Sequence, residues 1–500
     1  MKKQIFTFIA VSSIVFTSCT KDDSVDDKIV IDPSQQEILS GQQINSSIKQ
    51  NLQADGKFEW NEASTQTVWS AIQNGNKVCT VGFGNSRNDF ERIGSTSKTS
   101  QESILGIIER YEGKTQKEFV LTSDPYLNQV DVLIEKQETI AALRKSSLVR
   151  YVEPADYHFL AFEGQDQKSS VTSSGCGYSS TTLSSADYTA VSPNAKAPWA
   201  FYKHNIPSAW SYSSGKGVTV AVVDTGASTE QSLLNGSFNN GESTGRTVQR
   251  YGVYVDSIWP WSTGTDGVND KCGHGTSMSS VLASPRNDQG QPVGVAYNAN
   301  LIVYRAASNV VLDGYHEQNG VKNAFTALGN NTSVKIISMS MGHIISSSKI
   351  EDGIKYAYSK GKLIFCAGGT STSFTSFVGV IFPAWMNETV AVTGIKEAAN
   401  YEACDVCHTG GKIDFTIMMQ KSGSGNTVPV NSYYNAASDY VGGSSVATAT
   451  AAGIAALVWA KNPSWTRDQV LAKMRQTSHL YPNKHSEYGY GMPNALLAVQ

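Results

Sequence analysis

Charged residues are scarce in this sequence. Asp, Glu, Lys and Arg make up 17% of its 500 residues, against about 25% in ordinary soluble domains. The net charge is −3 and no basic run stands out, which argues against a nucleic-acid partner. Long apolar runs are missing too. The apolar stretch at the N-terminus, Ile5 to Phe16, is too short for a bilayer, which needs about 20 residues, and nothing after it reads as a membrane span. Cysteine occurs seven times. What is present is a globular composition, 40% hydrophobic, with 43 glycines and a Ser-rich middle. These predict many tight turns and a linker. The length exceeds one ordinary core, so two folded units are expected.

The N-terminus carries Lys2 and Lys3, the short apolar stretch, then "FTSC" ending at Cys19. This resembles a bacterial lipoprotein signal over residues 1–18, which implies acylation of Cys19. The following "TKDDSVDD" resembles the acidic export tag of Bacteroidetes lipoproteins. The resemblance implies an exported protein anchored by lipid at the outer membrane or cell surface. Cys79, Cys176, Cys272, Cys366, Cys404 and Cys407 remain, in a compartment where disulfides are permitted. Their pairing is not legible from spacing. "CDVCH", Cys404 to His408, fits a haem-attachment pattern. A local disulfide, or a bridge from this loop to Cys366 or Cys272, is the expected outcome.

Residues 19–57 are polar and read as a tether. Residues 58–160 read as a small α+β unit of ferredoxin type. "NKVCTVGF" and "QVDVLIE" alternate as strands. "SQESILGIIERYEG" reads as a helix with Ser100 as cap and Gly113 as stop, and a second helix runs through "KQETIAALRKSS". The block "LVRYVEP", Leu148 to Pro154, resembles the end of the inhibitory propeptide of subtilisin-like proteases. Residues 161–194, rich in Ser, Thr and Gly, read as a linker. From 195 to 500, the buried-type strands "VTVAVVD", "NLIVYRA", "VKIISMSMG", "KLIFCAGG" and "TVAVTGI" alternate with helical stretches such as "KIEDGIKYAYSK". That pattern predicts an α/β fold with a parallel sheet covered on both faces. Active groups gather at the C-terminal ends of such strands, where Asp224 and Gly369 fall.

"VTVAVVDTGAS", Val218 to Ser228, suits two chemistries. A paired-carboxylate site needs a second Asp-Thr/Ser-Gly, and the sequence has none. The alternative needs a His and a Ser. His274 lies between glycines in "DKCGHGTSMSS". Ser445 follows a Gly-Gly turn in "VGGSSVATATAAGIAALVWA". A serine at a helix N-terminus stands beside N–H groups and a dipole that favour an oxyanion. Ser445 would attack a carbonyl, His274 would carry the proton, and Asp224 would orient the imidazole.

With these motifs in place, residues 195–500 resemble the subtilisin-like serine proteases. "GKGVTVAVVDTG" is similar to the family's Asp motif. Asp270 to Thr276 is similar to its His motif, with Cys272 where Asn is usual. "GGSSVATATAAGIAAL" resembles its Ser motif, departing at Ser444, Val446, Ala449 and Thr450. "PVGVAYNANLIVYR", "IISMSMG" and "EYGYGMPNALLA" also resemble family blocks. The resemblance implies a three-layer fold, a serine endopeptidase acting on proteins or peptides, and a propeptide as intramolecular partner. It implies that Ser340, Met341, Gly342, Ala367 and Gly368 line the substrate site. No cofactor and no metal site is expected; structural calcium is common in the family, but Asp266 and Asp270 read as shaping the loop before His274. One departure bears on activity. Gly369 stands where the family carries an oxyanion-binding Asn. The Ser445 N–H remains a donor, and Thr370, Ser371 or a backbone N–H could supply another. That departure, with the altered surroundings of Ser445, supports a second reading, a catalytically weak or inactive pseudoprotease that binds peptides at the surface.

Overall fold

The computed structural model of the protein describes residues 29, 31–163, 176–370, 378–398, 400–435 and 437–500. Cys19 and Ser371 lie outside them, and with them the acylation reading and one candidate donor.

The smaller unit is a four-stranded antiparallel sheet covered by helices. Its strands are β1 (Val78–Phe83), β2 (Val120–Ser123), β3 (Gln129–Leu133) and β4 (Val149–Pro154), in the order β2-β3-β1-β4. It begins earlier than expected. Helix α1 (Gly41–Asp55) falls inside the predicted tether, capped by Ser40 with Gln43 in a reciprocal box and closed by Gly56 at φ 72°. Ile44, Ile48 and Leu52 recur every four residues and are buried, so a polar segment still carries one apolar stripe. Helices α2 (Thr65–Asn74), α3 (Gly94–Glu112) and α4 (Gln137–Lys145) complete the unit. Gly113 ends α3 at φ 70° as expected. Ser100 does not begin it; the helix starts at Gly94 and Ser100 is buried within it.

The predicted linker is structured in its second half. Strands β5 (Tyr188–Val191) and β6 (Ala195–Pro198) pair as a hairpin on the larger unit. The main sheet contains β7 (Thr219–Asp224), β8 (Val248–Gly252), β9 (Asn300–Arg305), β10 (Val334–Met339), β11 (Leu363–Ala367), β12 (Val390–Lys396) and β13 (Ile413–Gln420). All its pairings are parallel, in the order β13-β12-β11-β10-β7-β9-β8. The five strands read from sequence are present, and β8 and β13 are additional. A second hairpin joins β14 (Val428–Asn431) and β15 (Ser438–Val441).

Helices α5 (His274–Ala283) and α8 (Gly443–Lys461) share one core with one face of the sheet. Helices α6 (Tyr315–Asn330) and α7 (Ser348–Ser359) cover the other. By length and composition α8 could cross a membrane, contrary to the sequence reading, but it is a core helix, 89% buried. Its small residues allow that burial. A Cβ on Gly453 would lie 2.6 Å from the Cβ of Val295. The chain builds β8 and β9 on one side of β7, then returns to lay β10 on the other. This reversal opens a crevice at the C-terminal ends of β7 and β10.

The small unit seats its sheet on α6 and α7. Arg150 of β4 forms a two-pronged pair with Asp352, and Tyr151 donates its hydroxyl to the same carboxylate at 2.9 Å. Glu153 accepts from the Ser348 N–H (2.8 Å) at the start of α7. Lys349 pairs with Asp131 at 2.9 Å. Beyond β4, the N–H groups of Phe159 and Leu160 donate to the Asp313 carboxylate at 3.0 and 3.1 Å.

Candidate active site

Asp224 is the last residue of β7 and His274 the first of α5. Gly273 makes that helix start: its φ is 94°, and a Cβ there would lie 2.3 Å from the Gly177 carbonyl oxygen. The loop before it wraps around Asp270. This buried carboxylate accepts from the N–H groups of Cys272, Gly273 and Thr276 and from the hydroxyls of Thr225 and Thr276. Thr225 Oγ1 in turn accepts from the Gly275 N–H at 2.9 Å, tying the end of β7 to the start of α5.

The result is a buried contact between His274 Nδ1 and Asp224 Oδ1 at 2.8 Å. A carboxylate can only accept, so Nδ1 carries the proton and Nε2 is the free base. Burial disfavours the imidazolium, but the charge and hydrogen bond of Asp224 outweigh it and hold the His274 pKa above the usual imidazole value.

Ser445 sits in the first turn of α8, half-buried. Gly443, at φ 78°, turns the chain into that helix. Ser340 donates its hydroxyl to the Ser445 carbonyl at 3.1 Å and fixes the turn from β10. His274 and Ser445 line one cavity of about 560 Å³, together with Ser340, Met341, Gly342, Ala367, Gly369 and Thr370. Leu160 of the small unit lines it too. Gly368 does not. Its N–H donates to Val392 and its carbonyl accepts from Ile381, so strand pairing turns it into the core.

Gly369 has φ 128°. A Cβ there would lie 2.7 Å from Nδ1 of His408, whose ring is anchored on the Gly379 carbonyl at 2.8 Å. A side chain at this position, the family's Asn included, would be strained by that φ and would have to displace His408.

Cys272 is bonded to Cys176, a partner the sequence reading did not single out. Residues 177–181 return along the cleft. Gly177 donates to the Cys272 carbonyl at 2.8 Å and Thr181 to that of Ser438 at 2.7 Å. Cys404 and Cys407 form the local disulfide, which leaves no thiol in that loop for haem attachment. Cys79 and Cys366 are buried thiols. Asp266 pairs with the buried Arg305 at 2.8 Å, in keeping with a structural role. Among the described residues no group of three or more His, Cys, Asp or Glu is placed to share a metal ion. The roles of Asp313 and Cys176 were not legible in sequence, because each depends on a partner far along the chain.

The subtilase family model matches residues 215–491, more than half the chain. Subtilisin of Bacillus sp. (strain TA39) is 28% identical over 58% of this chain and 68% of its own. Alkaline elastase YaB of Bacillus sp. (strain YaB) is 29% identical over 61% of this chain and 70% of its own. Among solved structures, fervidolysin from Fervidobacterium pennivorans, a keratinolytic enzyme related to subtilisin, superposes with a TM-score of 0.58 at 15% identity. It covers 85% of this chain and 61% of its own, a likeness of fold. The chain belongs to the subtilase family and is a serine-type endopeptidase.

Proposed function

We propose that the protein is an exported precursor. Its larger unit cuts peptide bonds through Asp224, His274 and Ser445, and its small unit occupies the cleft until a cut separates the two. The observation that carries the catalytic reading is the buried His274–Asp224 contact beside a cavity that Ser445 shares. Ser445 Oγ attacks the scissile carbonyl while His274 Nε2 takes its proton. The imidazolium, stabilised by Asp224, then gives that proton to the leaving amine. Water, deprotonated by the same nitrogen, releases the acyl group. The Ser445 N–H and its helix terminus face the developing oxyanion.

The propeptide reading draws on the tail of the small unit. Asp313 holds Phe159 and Leu160, and Leu160 reaches the cavity. The tail thus occupies the cleft as a bound peptide would. Residues up to 163 are held on that side, and Cys176 is bonded beside His274, so the cut falls within residues 164–175. If Cys19 carries lipid, the cut frees the peptidase unit from its membrane anchor. The pseudoprotease alternative drew on Gly369 and on the altered surroundings of Ser445, and family membership weighs against it.

N-terminal sequencing and intact mass of the protein with Ser445 and with Ser445→Ala test this reading. The expected outcome is a cut within residues 164–175 in the first and neither cut nor peptide hydrolysis in the second. An active, uncut, membrane-bound chain overturns the precursor reading; hydrolysis by clean Ser445→Ala protein overturns the triad.

A further inference from the structure

We infer that Thr370 is a catalytic residue of this enzyme, its hydroxyl donating to the oxyanion that position 369 cannot serve. The inference rests on the reading of Ser445 as nucleophile and adds a group to it.

It starts from a buried hydroxyl. Ser444 is 1% exposed, and its Oγ has two partners among the described residues. The Gly369 N–H reaches it at 3.3 Å and Thr370 Oγ1 at 3.1 Å. A backbone N–H only donates, so Ser444 Oγ accepts there. A buried hydroxyl also has a proton to place, and Thr370 Oγ1 is the acceptor within reach. The direction of the chain follows: Gly369 N–H to Ser444 Oγ, Ser444 O–H to Thr370 Oγ1. The proton of Thr370 is then left over. Thr370 is half-buried and lines the cavity beside Ser445, so that proton is free to point at a group bound there. Each hydroxyl in such a row polarises the next, which strengthens the final donor.

Two features hold Thr370 in place. Its backbone pairs with Cys407 in an isolated bridge, and Cys407 is fixed by its disulfide to Cys404. On the other side Gly443 lets Thr370 come close; a Cβ on that glycine would lie 3.1 Å from Thr370 Oγ1. The crowding at Gly369 and the presence of a fixed hydroxyl one residue later are thus parts of one arrangement. His408 fills the space beside position 369, and the donor comes from position 370, held by Ser444.

An oxyanion donor acts mainly in the transition state, so its loss lowers kcat and leaves KM nearly unchanged. The test uses the full chain after self-cleavage, with a chromogenic peptide substrate and rates per mole of processed enzyme. Thr370→Val, of nearly the same shape, is expected to lower kcat about 10²-fold or more, with KM within about twofold. Thr370→Ser, which keeps the hydroxyl, is expected to stay within about tenfold of the parent. Ser444→Ala frees the Thr370 hydroxyl to turn and is expected to fall between. Normal kcat in Thr370→Val overturns the inference while leaving the Ser445 reading intact, provided Ser445→Ala is dead. Equal losses in Thr370→Val and Thr370→Ser, or a rise in KM matching the fall in rate, show a packing role and overturn it too. If Thr370→Val does not accumulate as folded enzyme, Thr370→Ala against Thr370→Ser decides by the same comparison.

Discussion

The hold of the small unit on the peptidase unit is expected to draw a large share of its strength from one carboxylate, Asp352. It faces Arg150 and Tyr151 across the interface, and the paired side chains of Arg150 and Asp352 are 4% and 2% exposed. That places the pair in the buried regime. Removing one charge strands the other, at about 3–5 kcal/mol. Asp352→Asn keeps the shape and removes the charge, leaving Arg150 buried without a counter-ion. In the separated peptidase unit the same position faces water, so the loss falls on docking alone. One decade corresponds to about 1.4 kcal/mol, so the dissociation constant of the two units should rise roughly 10²- to several 10³-fold. The assay is latency. Self-cleaved protein is diluted in steps and its activity on a short peptide recorded per mole; activity appears where the small unit dissociates. Asp352→Asn should move that midpoint to higher protein concentration by the stated factor. Its activity at full release should match the parent, because Asp352 does not line the cavity. The double replacement Arg150→Met with Asp352→Leu should recover much of the docking, since an apolar pair leaves no stranded charge. Superimposable dilution curves for parent and Asp352→Asn would refute the reasoning.

Two further outcomes follow from the site. His274 titrates above the usual imidazole value because of Asp224, so the acid limb of kcat/KM should lie above about pH 6.5. Asp224→Asn should move that limb to lower pH and reduce kcat roughly 10⁴-fold. The folded pKa is the raised one, so the stability this pair contributes is complete below about pH 6.5 and is lost as pH rises through the folded value. Thermal unfolding of Ser445→Ala protein with and without Asp224→Asn, across that range, checks the sign. Gly369→Asn, which would restore the family residue, should harm this chain. A side chain at φ 128° that meets His408 at 2.7 Å combines backbone strain with overpacking, each about 1–3 kcal/mol. Calorimetry should show a Tm lower by roughly 5–15 °C, with no gain in kcat. A faster variant of unchanged Tm would contradict the account of position 369.

The sequence by itself determined five of the seven strands of the main sheet and the turns that start two of its helices. Short apolar runs rich in β-branched residues, such as Val220–Val223, read as strands buried on both faces. Gly273 and Gly443 announce the turns that start α5 and α8, because glycine alone takes those backbone angles freely. These are local signals, carried by neighbours in the chain. What tertiary structure decided depends on residues far apart. Helix α1 was hidden because its three apolar residues are sparse, and only the small unit's core reveals them as a face. Strand β8 is an edge with mixed burial and lacks an apolar run. Cys176 meets Cys272 across a separation of 96 residues, a pairing that spacing does not encode. Gly369 was legible as a missing side chain. That His408 fills its space, and that Ser444 and Thr370 form the hydroxyl row beside it, follows only when β11, α8 and the disulfide loop are brought together, because hydrogen-bond direction is set by partners in space.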